Sequence, residues 1–151
     1  MAYADLTSWD KKYLQLAEFI AVEWSRDPST KVGAVIYGAD GQPVSFGYNG
    51  FPQGVADTKE RLADRPTRLL FTQHAEDNAL TFARRDVRGC HIVTWPFPPC
   101  ARCAGKIIQS GIKRIVAPAP SPELQERWRD DLSAAATMCR EARVRLILVG
   151  E

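Results

Sequence analysis

Strand-like and helix-like segments alternate through the second half of the chain, and this alternation constrains the fold more than any other feature of the sequence. Short runs rich in β-branched residues at 91–95, 114–117 and 144–149 are separated by two segments with the apolar spacing of helices. Such alternation is typical of parallel strands whose connecting helices cover the faces of the sheet. The second half therefore predicts a parallel part of an α/β fold.

The first half opens with an amphipathic segment and continues into a hairpin. Apolar residues recur every three or four positions after Thr7 and Ser8, either of which can cap a helix. The turn at Asp40-Gly41 joins two apolar runs as in a hairpin, whereas the polar stretch after it, with its glycines and prolines, predicts a long loop. The predicted elements are a helix at 8–25, strands at 32–37 and 43–48, a loop with one helical turn at most at 49–68, and a helix at 75–84.

Two further helices are predicted in the second half. One covers 101–110 and is stopped by Gly111, and the other starts at Ser121-Pro122-Glu123, the residue types of a helix start. Together the elements predict a three-layer α-β-α fold of the α/β class, with a central five-stranded mixed sheet, in one domain spanning 1–151. The last helix is expected to bury a stripe formed by Leu124, Trp128, Leu132, Ala135 and Cys139.

Composition excludes several classes of protein. Hydrophobic residues make up 45% and charged residues 25% of the 151 residues, which is ordinary for a globular protein. The net charge of +2 is spread along the chain, so we expect no nucleic-acid partner. No apolar run approaches the roughly 18 residues of a membrane span. The first residues lack the pattern of a leader, and we therefore expect a cytoplasmic protein without a membrane partner.

Two short motifs carry recognisable chemistry: His-Ala-Glu at 74–76 and Pro-Cys-Ala-Arg-Cys at 99–103. In this order they match H-x-E…P-C-x-x-C, the signature of zinc-dependent nucleobase deaminases. Alone, such a cysteine pair also suits a redox pair or half of a structural site, and a His-x-Glu tripeptide arises by chance. Their joint occurrence, each at the start of a predicted helix, predicts a catalytic zinc site.

The residue types fit that chemistry. One imidazole and two thiolates suit Zn²⁺, and three protein ligands leave the fourth tetrahedral position for water, so we expect His74, Cys100 and Cys103 to bind zinc. Glu76 is the predicted catalytic residue. It would take a proton from the zinc water, give one to ring N3 and later protonate the leaving amine, while hydroxide attacks the amino-bearing carbon C4 and ammonia leaves. Cys139 and Cys90 are expected to be core residues.

Four stretches together resemble the deoxycytidylate (dCMP) deaminase family, within the wider cytidine deaminase-like fold. These are SWDKKYLQLAEFIAVEWSRDPSTKVGAVI at 8–36, FGYNGFPQG at 46–54, HAEDNALTFARR at 74–85 and PPCARCAGKIIQSGIKRIV at 98–116. The segments GYNGFP and IIQSGI are more specific than the zinc motif, because other zinc deaminases share that motif without them. The resemblance implies conversion of dCMP to dUMP and ammonia with one Zn²⁺ per chain.

The resemblance also implies oligomers, commonly hexamers, and regulation by dCTP and dTTP, although no effector-binding residue is identified. It also assigns residues to substrate contacts, and each of them has a simpler structural role as an alternative. Asn49 also fits a turn, Phe82 the core of a helix, and the cations a solvated surface. The implied contacts are the backbone N–H of Ala75 with the pyrimidine 2-carbonyl, Asn49 with the deoxyribose 3′-hydroxyl, Ser25, Arg26 and Lys31 near the phosphate, and Phe82 near the site or a subunit contact.

The chain departs from the family pattern in three places. The segment IVTWPFPPC is longer and richer in proline than usual, and we expect it to wall the base pocket so that Trp95 and Phe97 affect tolerance at ring C5. Many phage and eukaryotic members carry a second zinc site, but residues 50–73 contain no cysteine or histidine, so we expect one zinc. After Val116 the run lacks the tyrosine that the family often places near the substrate.

Three alternatives stay open. A tRNA or single-stranded DNA base deaminase shares the zinc motif, but it would want a basic and aromatic surface. A deaminase of 5-substituted dCMP differs only in the shape of the base pocket. A nucleotide sensor without activity would have no reason to keep a carboxylate at Glu76.

Overall fold

The computed structural model describes residues 6–150, so both ends of the predicted domain 1–151 lie outside the described residues. Seven helices and five strands are found within that range. They are α1 (Ser8–Trp24), β1 (Gly33–Tyr37), β2 (Pro43–Tyr48), α2 (Lys59–Ala63), α3 (Arg65–Phe71), α4 (Ala75–Ala83), β3 (His91–Trp95), α5 (Ala101–Gln109), β4 (Arg114–Pro118), α6 (Pro122–Arg127), α7 (Arg129–Glu141) and β5 (Arg145–Val149).

The strands form one mixed sheet in the order β2-β1-β3-β4-β5. Strand β1 pairs antiparallel with both β2 and β3, whereas β3–β4 and β4–β5 are parallel pairs. The parallel half is the one whose strands are joined through helices, as the alternation in the sequence predicts. The five-stranded mixed sheet is therefore confirmed.

Helices cover both faces of the sheet. On one face, Ala17 and Ile20 of α1 pack in a cluster with Val93 of β3. On the other face, a second cluster contains Ala79 of α4 and Ile107 of α5 together with alternate residues of the same strands. The strand side chains alternate between the two clusters because successive residues of a strand point to opposite faces. This arrangement confirms the predicted three-layer α-β-α fold.

The segment predicted as a loop at 49–68 contains helix α2 and the start of helix α3. The Thr58 side chain accepts a hydrogen bond from the Arg61 amide and caps α2, and Asp64 caps α3 in the same way through Thr67. Neither helix buries a residue. The prediction failed here because surface helices without a buried stripe lack the apolar period by which a helix is recognised.

The predicted helix after Ser121 is interrupted at Trp128, which separates α6 from α7. Trp128 has φ −113° and ψ 23°, and 42% of it is exposed. Ala135 and Cys139 are buried as predicted, but the buried stripe does not include Trp128. The first turn of α7, which follows the break, contacts the start of α5 through Asp131 and the Ala101 amide.

A buried ion pair joins helix α1 to the sheet. The carboxylate of Asp10 is fully buried, and it accepts hydrogen bonds from the hydroxyl of Tyr37 and the guanidinium of Arg114. Its other partner is the backbone amide of Thr7 at 2.8 Å, which completes the cap of α1. Burial by itself raises the pKa of Asp10, but the hydrogen bonds from Arg114, Thr7 and Tyr37 outweigh it and lower the pKa below 3.8.

Asp10→Ala is expected to lower the free energy of unfolding by about 3–5 kcal/mol, because it removes the carboxylate of a buried pair and leaves the other charge in place. Glu18→Ala, on the exposed side of the same helix, is the control and should change it by less than about 0.5 kcal/mol. Because the folded pKa is depressed, the stabilisation is present above pH 3.8 and is lost as the pH falls through the lower folded pKa. Urea unfolding at neutral pH and near pH 2 measures both effects, and equal losses in the two variants would contradict the role of Asp10.

Candidate metal centre and active site

Three side chains with metal-binding atoms meet where two helices begin. Nδ1 of His74 lies 3.3 Å from Sγ of Cys103 and 3.6 Å from Sγ of Cys100. The three ligand atoms all lie within 4.8 Å of one another. Within residues 6–150 no other three His, Cys, Asp or Glu side chains come close enough to hold a metal ion.

The local structure explains why these residues converge. His74 is the residue before the first turn of α4, and Cys100 holds the same position in α5. Sγ of Cys100 accepts a hydrogen bond from the Cys103 amide at 3.4 Å, so both thiols face the start of α5. The first amides of a helix carry a partial positive charge that favours thiolates, and here two helix starts face the same point.

Close packing holds helix α4 in place over the sheet. A side chain at Gly47 in β2 would lie 2.4 Å from the Ala75 carbonyl oxygen, so only glycine allows α4 to approach this closely. Across the gap to α5, Nζ of Lys106 pairs with Oδ2 of Asp77 at 2.6 Å. Helix α4 therefore packs closely against the sheet, and it contacts α5 through a half-exposed ion pair.

The donor set fits a zinc ion. Tetrahedral zinc with ligands at 2.0–2.3 Å places neighbouring ligand atoms about 3.3–3.8 Å apart. The distances of 3.3 and 3.6 Å from the His74 nitrogen to the two sulfur atoms match this spacing. One nitrogen and two sulfur atoms satisfy three positions and leave the fourth open, as in catalytic rather than structural zinc sites.

Electrostatics at the thiols also favour a cation. A hydrogen bond from the Cys103 thiol, together with His74, lowers the pKa of Cys100 to about 4. The same hydrogen bond raises the pKa of Cys103, since its proton is held against the Cys100 thiolate. The hydrogen bond with Cys100 likewise raises the pKa of His74. The cluster thus binds protons in the place of a metal ion, and metal binding would release them.

Glu76 lies in the first turn of α4, two residues beyond His74. Only 4% of it is exposed. Burial raises the pKa of its carboxyl group to about 7, and the charge on Cys100 acts in the same direction. A carboxyl group that titrates near pH 7 can both accept and donate protons at neutral pH, as a proton shuttle must.

Asn49 is buried and holds together the loop between α1 and β1. Its Oδ1 accepts hydrogen bonds from the Ser25 hydroxyl at 2.7 Å and the Val32 amide at 2.9 Å. Its Nδ2 donates to the Thr30 carbonyl oxygen at 2.8 Å. An asparagine side chain has two N–H donors, so one remains for a ligand. Contact with a 3′-hydroxyl stays a prediction, now beside a structural role that the sequence did not indicate.

The segment after β2 is tied to the residue before His74. Gly50 and Gln73 exchange two backbone hydrogen bonds, with N–O distances of 3.1 and 2.7 Å. This bridge places the GYNGFP segment beside the start of α4. Two of the stretches that carry the family resemblance are therefore neighbours in space, although they are distant in the sequence.

The predicted phosphate-binding residues lie on the loop between α1 and β1. The Ser25 hydroxyl is buried and donates to Asn49, and the ammonium of Lys31 donates to the Ser25 carbonyl oxygen. Arg26 is exposed and lies 3.5 Å from Asp57. Sequence reasoning missed Arg68, whose largely buried guanidinium lies 3.8 Å from Asp27 on the same loop. Its partner is distant in the sequence, and no local pattern indicates the pair.

Two predicted substrate residues are not close to the cluster. Phe82 is near the far end of α4, eight residues after His74 and therefore roughly 12 Å away along the helix axis. It lines a cavity of about 900 Å³ between β2 and α4 that none of the three potential ligands lines. The Trp95 side chain packs with the α1 cluster, on the face of the sheet opposite α4 and α5, because it shares the strand face of Val93. Phe97, in contrast, packs on the α4–α5 side.

Comparison with known proteins gives the class of this fold and site. A family model described as the cytidine and deoxycytidylate deaminase zinc-binding region matches residues 7–119. The chain therefore belongs to the cytidine and deoxycytidylate deaminase family, whose members are hydrolases acting on C–N bonds, and the resemblance seen in the sequence is confirmed.

Particular relatives narrow the comparison. An uncharacterized deaminase in the luxG 3′ region of Aliivibrio fischeri is 41% identical over 139 residues, which cover 92% of each chain. The human deoxycytidylate deaminase is 36% identical over 120 residues, covering 74% of this chain and 65% of the human protein. The mouse enzyme is 37% identical over the same shares of the two chains. The chain thus matches just under two thirds of the length of these mammalian relatives.

A solved structure shares the fold. The dCMP deaminase of the cyanophage S-TIM5, crystallised in complex with dCMP and dUMP, superposes with a TM-score of 0.70. The match covers 97% of this chain and 99% of that chain at 21% sequence identity. The predicted cytidine deaminase-like fold is confirmed.

Proposed function

We propose that this chain is a zinc-dependent deoxycytidylate deaminase, which hydrolyses dCMP to dUMP and ammonia in one domain spanning 1–151. The observation that carries the proposal is the cluster of one imidazole and two thiols with a buried carboxyl group, Glu76, beside it. This donor set leaves an open metal position next to a group that moves protons. The named relatives and the crystallised cyanophage enzyme support dCMP as the substrate.

Each residue of the cluster has a defined task in this reaction. His74, Cys100 and Cys103 would hold one zinc ion, which supplies a water molecule activated for attack at neutral pH. Glu76 accepts one proton of the attacking water and donates it to N3 of the cytosine ring. It then accepts the second proton, from the new C4 hydroxyl, and donates it to the amine, which leaves as ammonia. Ala75 is buried in the first turn of α4, where amide groups have no partner within the helix, and its N–H suits the 2-carbonyl oxygen of the base.

The loop between α1 and β1 supports recognition of a nucleoside monophosphate. Lys31 has two N–H donors left after its bond to the Ser25 carbonyl oxygen, and the Arg26 guanidinium is exposed. Asn49 has one N–H donor for the deoxyribose 3′-hydroxyl. Cations beside a sugar-binding amide suit a phosphate attached to the same nucleoside.

Other properties come from the family resemblance alone and stay predictions. These are assembly into hexamers, regulation by dCTP and dTTP, and location in the cytoplasm. None of the helices between residues 6 and 150 has the length and apolar character needed to cross a membrane.

The proposal predicts a strong preference for monophosphates. Ammonia release should be measured on dCMP, cytidine, dCTP, 5-methyl-dCMP and a short single-stranded DNA, with and without dCTP as effector. We expect kcat/KM for dCMP to exceed that for cytidine by about 100-fold or more, which corresponds to one or two hydrogen bonds to a charged phosphate. Comparable turnover of 5-methyl-dCMP would widen the substrate class at C5.

Two outcomes of this assay would contradict the proposal. Turnover confined to DNA would replace the nucleotide substrate by a flipped base and leave the zinc chemistry standing. Zinc-loaded protein without turnover on any substrate would favour the nucleotide sensor. A control with Glu76→Gln protein excludes ammonia released by a contaminating enzyme.

A further inference from the structure

The corner between helices α6 and α7 contacts the segment that carries the two cysteines at two points. The Ala101 amide donates a hydrogen bond to Oδ2 of Asp131 at 2.9 Å. The ring of Trp128 lies 6.4 Å from the ring of Phe97, centroid to centroid. Both corner residues lie beyond residue 119, where the match to the family model ends. The contact therefore joins residues outside the matched region to the cysteine segment inside it.

The hydrogen bond from Ala101 acts on the backbone between the two thiols. Ala101 is the first residue of α5 and follows Cys100 directly. The first amides of a helix have no partner within the helix, and a carboxylate there is also favoured by the helix dipole. Since the Cys103 amide already donates to Sγ of Cys100, the bond to Asp131 satisfies a second amide of the same turn.

Asp131 lies in the first turn of α7, shortly after the break at Trp128. Its side chain is half-buried and faces the start of α5, where it accepts the bond from Ala101. The side chain of the neighbouring Asp130 is exposed and has no hydrogen-bond or ion-pair partner within the described part of the chain. Of these two adjacent carboxylates, therefore, Asp131 contacts the helix turn between Cys100 and Cys103, and Asp130 does not.

We infer that Asp131 is a positioning residue for the metal centre: it holds the backbone at Ala101 so that Cys100 and Cys103 keep the spacing of zinc ligands. The inference rests on the proposed zinc site. Groups that orient metal ligands through hydrogen bonds contribute about 10–100-fold to metal affinity. We call the hydrogen bond between Asp131 and Ala101 the brace; it connects the metal centre to the C-terminal helices.

The matched pair Asp131→Ala and Asp130→Ala tests the brace. Both remove one carboxylate from the first turn of α7, but only the first removes the bond to Ala101. The dissociation constant for zinc, measured by competition with a chromophoric chelator, should rise about 10–100-fold in Asp131→Ala. It should stay within about twofold of the parent protein in Asp130→Ala, since outer-shell effects need the contact. Asp131→Asn should restore most of the affinity, because its amide oxygen still accepts the bond.

A spectroscopic measurement separates positioning from loss of stability. With Co²⁺ in place of zinc, the thiolate charge-transfer and visible bands report ligand geometry. They should change in Asp131→Ala at saturating Co²⁺ and stay unchanged in Asp130→Ala. Wild-type affinity together with a wild-type spectrum in Asp131→Ala would overturn the inference, and so would equal losses in the two variants.

The experiment also separates this inference from the proposed function. Failure of the parent protein to bind zinc would overturn the proposed metal site, whereas parental affinity together with a parental Co²⁺ spectrum in Asp131→Ala overturns the brace alone. Neither measurement uses dCMP. If Asp131→Ala does not fold, the hydrogen-exchange rate of the Ala101 amide in the zinc-free parent protein tests the hydrogen bond instead. We expect slow exchange, and exchange as fast as that of an open amide would contradict the bond.

Discussion

Glu76→Gln protein is expected to bind zinc and to lose about 100–10,000-fold in kcat for dCMP, the range that a general acid–base group contributes. Glutamine has the shape of the carboxyl group, so the buried site can keep its packing. Its amide cannot accept the proton of the attacking water or deliver one to ring N3. Ammonia release and metal analysis on the same sample measure the two halves of the prediction.

Asp77→Asn is the control for that experiment. Asp77 is the adjacent carboxylate in the first turn of α4, and it pairs with Lys106 on α5 rather than lying buried beside the cluster. Its replacement should change kcat only a few-fold. Near-parental activity of Glu76→Gln, or equal losses in both variants, would refute the role of Glu76.

The raised pKa of Glu76 also predicts a change in stability. Its pKa rises from the ordinary 4.5 to about 7 in the folded protein, so the unfolded state ionises first. The neutral carboxyl group therefore contributes stability that is present below pH 4.5 and is lost as the pH rises through 7. Zinc-free Glu76→Gln should accordingly lose less stability than the zinc-free parent protein between pH 5 and 8.

Much of the fold could be predicted from the periodic spacing of apolar residues in the sequence. Strand β3 at His91–Trp95 and the parallel order of the later strands were predictable, because buried β-branched runs joined through helices leave few alternatives. Helices α2 and α3 were missed because they bury nothing and carry their signal only in caps such as Thr58 and Asp64. The break at Trp128 was missed because apolar spacing continues through it.

The metal cluster was predictable for a related reason. A ligand at the start of each helix is a local feature, and the chemistry of one imidazole and two thiols limits what they can bind. Contacts between distant segments leave no such pattern, as with Asp131 on Ala101 and Arg68 on Asp27. The two-residue period of a strand places Trp95 on the same face of the sheet as Val93, so this face could be predicted from the sequence. The expectation that Trp95 walls the base pocket depends only on its place before the cysteines.

Cys103→Ser is expected to abolish zinc binding and, with it, deamination. Cys103 is 3% exposed and lies 3.3 Å from Nδ1 of His74. A serine hydroxyl stays neutral near pH 7, whereas zinc prefers the soft, charged thiolate. One nitrogen ligand and one sulfur ligand are too few to keep zinc bound when the protein is desalted. Metal content per chain after desalting measures the loss directly.

Cys139→Ser is the matched control, because Cys139 is buried to the same degree and takes the same substitution. Burial raises the pKa of its thiol, which therefore stays neutral, and Cys139 packs in the apolar cluster on the α4–α5 face of the sheet. Its replacement should lower stability by about 1–3 kcal/mol through a buried hydroxyl and leave the zinc content unchanged. Parental zinc content in both variants would show that Cys103 is not a ligand, whereas loss of zinc in both would mean that reduced stability, and not a missing ligand, is the cause.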